Sequence, residues 1–198
     1  MKRQEFTILE STAVPLPLAN IDTDQIIPAR FLSATVREGF GEKLFRDWRF
    51  DGNGNPIPGF VLNRPEYRGE ILITGSNFGC GSSREHAVWA ITGHGFRAVV
   101  SDSFADIFMN NALNNGLLTV TVSKEFLAQL TELVNSHPTT TVRIDLPEQV
   151  ISVPSSGLRS GFPVNPFRKE CLMKGLDNID YLLSMKEEIL EFEKRRQP

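Results

Sequence analysis

Residues Gly75–Ala87 read GSNFGCGSSREHA and hold the densest set of chemistry-bearing side chains in the chain. Three glycines, Gly75, Gly79 and Gly81, fall within seven residues, and Ser82, Ser83, Arg84, Glu85 and His86 follow directly. A guanidinium matches a carboxylate as a two-pronged fork. A serine hydroxyl is far too weak an acid to work unaided at neutral pH. It serves in proton transfer only where N–H donors and cations stabilise its alkoxide. The spacing is not the G-x-S-x-G of a hydrolase elbow. Nor is it the phosphate loop G-x-x-x-x-G-K-[ST], because no lysine follows the glycines.

Each of these residues also has a plainer reading. Ser82 with Glu85 fits the S-x-x-E capping box, in which serine closes a helix start. Arg84 could pair with a surface acid. His86 suits hydrogen bonding that holds the turn together. Cys80 has no partner cysteine nearby, so metal or cluster ligation by it is not expected. Asp22 and Asp24 in NIDTDQIIP could act as a carboxylate pair or bind a cation. Acids in a loop are more commonly turn formers. Asn110, Asn111, Asn114 and Asn115 read as the fraying end of a helix before Gly116.

A turn of this kind needs rigid elements on both sides. Glu70–Thr74 (EILIT) leads in like a strand, and Ala87–Thr92 (AVWAIT) leads out like a helix. The glycines therefore sit at the carboxyl end of a strand and the amino end of a helix. Backbone N–H groups and the helix dipole meet an anion there. A helix is expected near Ser83–Gly93, a strand at Arg97–Ser101 and a helix near Phe104–Asn114. A strand at Leu117–Val122 and a helix at Lys124–Asn135 complete a βαβαβα run with a largely parallel sheet. Thr141–Leu146 and Val150–Val153 look like a hairpin. Before the run, Glu5–Glu10 reads as a strand followed by a proline turn, and Asn20–Leu32 as a loop broken by Pro28. DGNGNPIPG within Asp47–Asn63 is a loop or hairpin tip. Asn165–Lys174 and Asp180–Arg196 look helical.

Bulk properties bound the function. At 198 residues the chain is sized for one domain with a substantial core. Its net charge of −3 and pI of 5.7 argue against a grip on nucleic acid. Met1–Leu9 lacks an apolar signal region, and no apolar run approaches the ~20 residues that span a bilayer. Cys80 and Cys171 lie far apart without C-x-x-C context, which fits a cytoplasmic protein with reduced thiols.

Three segments together carry a family resemblance: NIDTDQIIPARFL, GSNFGCGSSREHAVWAI and GFRAVVSDSFADIFMNNALNNGLL. They resemble the small subunits of bacterial 3-isopropylmalate dehydratases, members of the aconitase superfamily. DWRF at Asp47–Phe50 and RKECLMKGLD at Arg168–Asp177 match as well, so the likeness runs from about Phe6 to Leu176. It implies an α/β fold, the three-layer β/β/α swivelling domain of aconitase, with a mainly parallel core sheet and antiparallel additions. One such domain would fill residues 1–198, with a mobile loop near 32–63 and a C-terminal helical extension at 165–198.

The resemblance also implies a separate large subunit carrying a [4Fe–4S] cluster, with no cofactor or metal held by this chain. The small dicarboxylate substrates would be 2-isopropylmalate and 3-isopropylmalate, interconverted through 2-isopropylmaleate. Ser82 matches the catalytic base. Ser83 and Arg84 match neighbours that bind substrate carboxylate, and Asp24 matches an aspartate near the active site. Arg37 and Arg30 lie near the place of a further carboxylate-binding arginine. Ile27 stands where aconitase has a serine, so that contact is not carried over. Phe40, Leu44 and Phe45 in the 32–63 stretch are compatible with an isopropyl group, though most such apolar residues are simply core. Related hydro-lyases for homoaconitate, methylmalate or dimethylmalate share the serine segment. A non-catalytic module that holds an anion in the glycine turn is the rival from another class.

Overall fold

The alternation that starts at Glu70 becomes a parallel sheet in the computed structural model, which describes residues 4–33 and 36–196. Strands β2 (Ala13–Leu16), β3 (Ile71–Thr74), β4 (Ala98–Ser101) and β5 (Leu118–Thr121) lie side by side in that order, every neighbouring pair parallel. Helices α3 (Glu85–Gly93) and α4 (Asp106–Asn114) connect β3 to β4 and β4 to β5. Both crossovers run in the same direction between adjacent parallel strands. Right-handedness therefore puts both helices on one face.

A second, antiparallel sheet holds β1 (Ile8–Ser11), β6 (Val142–Asp145), β7 (Val150–Val153) and β8 (Leu158–Gly161), in the order β1-β6-β7-β8. Burial separates the layers. Every residue of β2, β3 and β4 is buried, as a sheet covered on both faces requires, whereas β6 and β7 bury alternate residues only. The parallel sheet is the middle layer of a β/β/α fold. Buried side chains from both sheets form one continuous core. Helix α5 (Lys124–Ser136) is capped by Ser123, whose hydroxyl accepts from Phe126 N at 3.2 Å. It buries Phe126, Leu130 and Val134 at helical spacing and touches both β2 and β8.

Two strands depart from the sequence expectation. The proline turn after the first strand is itself strand β2, with Pro15 inside it. Strand β2 is the edge of the parallel sheet, so the missing N–H of Pro15 costs no ladder bond. Strand β8 extends the expected hairpin. Its residues, Leu-Arg-Ser-Gly, carry no buried apolar alternation to read.

The stretch before β3 is built from short pieces. Helix α1 is Thr23–Ile26 and α2 is Arg46–Arg49, with 3-10 turns at Ala29–Phe31, Phe40–Lys43 and Val61–Asn63. Phe40, Leu44 and Phe45 are all fully buried, so these three belong to the core and present nothing to a ligand. The cause is a close backbone contact: a Cβ on Gly41 would stand 2.2 Å from the carbonyl of Gly93 at the end of α3. Ala34 and Thr35 of the expected 32–63 loop lie outside the described residues. The C-terminal part is helical as expected, in three pieces: α6 (Pro166–Lys174), α7 (Asn178–Ser184) and α8 (Lys186–Arg196).

Candidate active site

The glycine turn crosses from the end of β3 to the start of α3, and its glycines are required by contact. Gly79 has φ +76°, and a Cβ there would lie 2.2 Å from Cγ of Phe108 on α4. Phe78 is fully buried, with its ring edge-on to Phe108 at 5.1 Å and to Phe104 at 6.4 Å. The turn is strapped to the end of β4 as well. Ser76 Oγ donates to Asp102 Oδ2 at 2.7 Å, and Asn77 N donates to Ser103 Oγ at 2.9 Å.

On the other side, residues Leu18–Thr23 are zipped to the turn. Gly75 N donates to Leu18 O at 3.1 Å, Gly79 N to Ile21 O at 2.8 Å and Thr23 N to Cys80 O at 3.0 Å. Thr23 Oγ1 donates to the Ser82 carbonyl at 3.0 Å. Helix α1 then starts from a capping box in which Asp22 accepts from Gln25 N and Gln25 Oε1 accepts from Asp22 N. The two aspartates thus divide. Asp22 is spent on the cap, and Asp24 reaches the guanidinium of Arg84 in an ion pair.

The expected capping box of Ser82 and Glu85 does not form. The N-cap of α3 is Arg84, whose side chain makes no cap hydrogen bond. The Glu85 carboxylate instead accepts from Asn115 Nδ2 at 2.8 Å and lies 3.6 Å from Arg37. Ser82 and Ser83 are exposed, and among the described residues neither hydroxyl has a hydrogen-bond partner. No side chain caps α3, and the Ala87 N–H of its first turn goes to the Arg84 carbonyl at 3.2 Å. Asn115 was readable only as a helix end. Its side chain braces Glu85, a role that a 30-residue separation hides from sequence spacing.

Arg84 is largely buried, with 16% of its side chain exposed, whereas the carboxylate of Asp24 is 53% exposed. Only Nη1 of the guanidinium goes to Asp24. Among the described residues Nε and Nη2 have no partner. Arg37 stands beside this group, its guanidinium 4.9 Å over the Trp89 ring. The His86 ring packs tilted against Trp89 at 4.6 Å and against Phe40 at 5.5 Å. Arg30 is placed elsewhere. It makes a two-pronged pair with Asp47, which holds the Asp47 carboxyl below its ordinary value.

The structure thus brings together Ser82, Ser83, Arg84, Asp24 and Arg37, and leaves Arg30 outside the group. The cavities of about 360–560 Å³ in the described structure are lined by other residues. The serine face is open, the shape of half a site. The side chains present do not fit an iron–sulfur cluster. Neither Cys80 nor Cys171 is in a disulfide, and no three His, Cys, Asp or Glu side chains gather among the described residues. No helix of the described residues is long and apolar enough to cross a membrane.

Known proteins match this arrangement. The family model for the aconitase C-terminal domain matches residues 3–125. The 3-isopropylmalate dehydratase small subunit of Christiangramia forsetii is 56% identical over 193 residues, covering 98% of this chain and 94% of that protein. The one from Azobacteroides pseudotrichonymphae is 55% identical, covering 96% and 98%. The crystal structure of 3-isopropylmalate dehydratase (leuD) from Methanocaldococcus jannaschii superposes with a TM-score of 0.66 at 28% identity, covering 94% of this chain and 99% of that one. Identity at this level over nearly the whole length, joined to the glycine turn and its unpartnered serines, places the chain in a family: it belongs to the 3-isopropylmalate dehydratase small subunits of the aconitase superfamily.

Proposed function

We propose that this chain supplies the proton-transfer and carboxylate-binding half of a 3-isopropylmalate dehydratase. Paired with a large subunit, it interconverts 2-isopropylmalate and 3-isopropylmalate through 2-isopropylmaleate, in the cytoplasm, as a step of leucine biosynthesis. The observation that carries this reading is the exposed Ser82 hydroxyl, released from helix capping and set beside Arg84 at the start of α3. No membrane or nucleic acid takes part.

Ser82 Oγ is the base. As an alkoxide it takes the proton from the carbon next to a substrate carboxylate, and on hydration it returns that proton. The alkoxide is held by the positive end of α3 and the Arg84 guanidinium. Arg84 keeps Nη1 on Asp24 and turns its remaining N–H groups to the substrate carboxylate. Ser83 adds a hydroxyl donor to the same oxygens. Arg37, the nearer of the two candidate arginines, binds the second carboxylate. When bound in the large subunit, the iron–sulfur cluster would supply the Lewis acid that takes the departing hydroxyl. The [4Fe–4S] cluster belongs to the large subunit, since the cysteines of this chain do not fit one.

We take residues 1–198 as one swivel-type domain with a helical C-terminal extension. The mobile part of the 32–63 loop then includes the exposed segment 36–39, because Phe40, Leu44 and Phe45 are anchored in the core. The partnership is tested by following alkene absorbance from 3-isopropylmalate. Turnover with an iron–sulfur large subunit and none by either chain alone supports the reading. Turnover by this chain alone overturns it.

A further inference from the structure

Glu85 and Trp89 lie four residues apart on α3, so both stand on one face of the helix. Arg37 lies across that face. Its Nη2 is 3.6 Å from Glu85 Oε1, and its guanidinium carbon is 4.9 Å from the centre of the Trp89 ring. The platform is itself held. The Trp89 ring is edge-on to buried Phe40 at 5.6 Å. Asn115, at the end of α4, donates through Nδ2 to Glu85 Oε1 and to Asn111 O, both at 2.8 Å. Arg37 has no such anchor of its own. It belongs to the exposed segment 36–39, and the buried part of the chain begins only at Phe40. Side-chain contacts must therefore place the guanidinium.

These contacts do little for stability. The Arg37 and Glu85 side chains are 57% and 48% exposed, and exposed ion pairs contribute little. Direction is what they fix. At 3.6 Å the Glu85 carboxylate attracts the guanidinium beyond normal hydrogen-bond range. Cation–π attraction acts through the ring face and uses up no N–H donor. Among the described residues the Arg37 guanidinium makes no hydrogen bond, so its fork stays available to a carboxylate. We propose that Glu85, Asn115 and Trp89 are positioning residues that aim Arg37 at the second carboxylate of the substrate. The proposal rests on the role proposed for Arg37 as that carboxylate's site. All three residues act through the arginine, so their loss appears in KM and spares kcat.

The test is a double-mutant cycle in the complex with the large subunit, followed by steady-state kinetics on 3-isopropylmalate. Trp89→Leu is expected to raise KM by about 3- to 10-fold with kcat within about threefold of wild type, and Trp89→Phe, which keeps a ring face, to recover most of the loss. Glu85→Gln, an exposed change that keeps the acceptor for Asn115, is expected to raise KM by about 2- to 5-fold. In an Arg37→Ala background neither substitution should raise KM further, because the group they position is gone. A purely structural role for Trp89 or Glu85 would keep its full effect in that background. Equal effects with and without Arg37, or wild-type KM in both Trp89→Leu and Glu85→Gln, overturn the positioning role while a raised KM in Arg37→Ala alone leaves the carboxylate site standing. Wild-type KM in Arg37→Ala overturns both.

Discussion

Arg84 and Asp24 stand sixty residues apart in sequence and meet in an ion pair at the start of α3. The pair exists because residues 18–23 are hydrogen-bonded along the glycine turn, which delivers Asp24 to the guanidinium. Asp24 fixes one nitrogen, and on the proposed function the rest of the fork is left for substrate. In the assembled enzyme, Arg84→Lys is expected to raise KM by about 10- to 100-fold, because a point charge cannot replace two parallel N–H donors. Asp24→Asn keeps the shape but loosens the guanidinium, and a smaller rise in KM is expected. Steady-state kinetics on both variants checks this. Wild-type KM in Arg84→Lys would contradict it.

Arg37 and Arg30 separate cleanly. Arg37 lies over Trp89 beside Glu85, at the serine face. Arg30 is tied to Asp47, and both side chains of that pair are more than half exposed. Arg37→Ala is expected to raise KM by about 10-fold or more, and Arg30→Ala to leave kinetics and stability near wild type. The reverse pattern would move the second carboxylate subsite to Arg30.

Gly79→Ala tests the fit of the turn against α4. The new methyl would enter the Phe108 ring, at a backbone φ of +76° that alanine disfavours. A loss of about 2 kcal/mol or more in unfolding free energy is expected. Urea unfolding measures it, and a variant as stable as wild type would show that the turn can shift.

His94 gives the fold a pH dependence. Burial, then the nearby Arg49 charge, lowers its pKa below the ordinary 6.5, although its ring nitrogen Nδ1 lies 3.2 Å from the Gly41 carbonyl. The unfolded chain takes up this proton before the folded one does. Stability from this group is therefore full above the ordinary value and is lost as pH falls through the lowered one. His94→Gln should flatten part of the acid-side fall in urea unfolding. Hydrogen exchange near 40–45 should speed up on the same pH scale, since Gly41 is the docking point, while 36–39 exchanges fast throughout. An unchanged pH profile in His94→Gln would remove His94 from this role.

The sequence made the parallel layer legible because strand and helix signals alternate there with strong apolar runs, as in Ile71–Thr74 and Ala98–Ser101. It also made the serine turn legible, since Gly79, Gly81 and Ser82 lie together in one segment. Long-range side-chain partners were not legible. Nothing near Glu85 in sequence announces Asn115, and the S-x-x-E spacing pointed to a cap that Arg84 occupies instead. Pro15 hid a strand because its tolerance depends on the edge position of β2. Phe40, Leu44 and Phe45 were compatible with a substrate's isopropyl group as well as with the core, and apolar residues in a turn-rich stretch do not reveal the Gly41–Gly93 contact that draws them into the core.

The most direct measurement is made on Ser82→Ala paired with a cluster-loaded large subunit. Alkene formation and solvent deuterium uptake at the substrate carbon are followed together. With no intramolecular partner for the hydroxyl, the variant should fold and pair as wild type does, with KM within a few-fold. Both rates should fall by about 10²–10⁴-fold. Alkene formation and deuterium uptake within about threefold of wild type would contradict the assignment of Ser82 as the base.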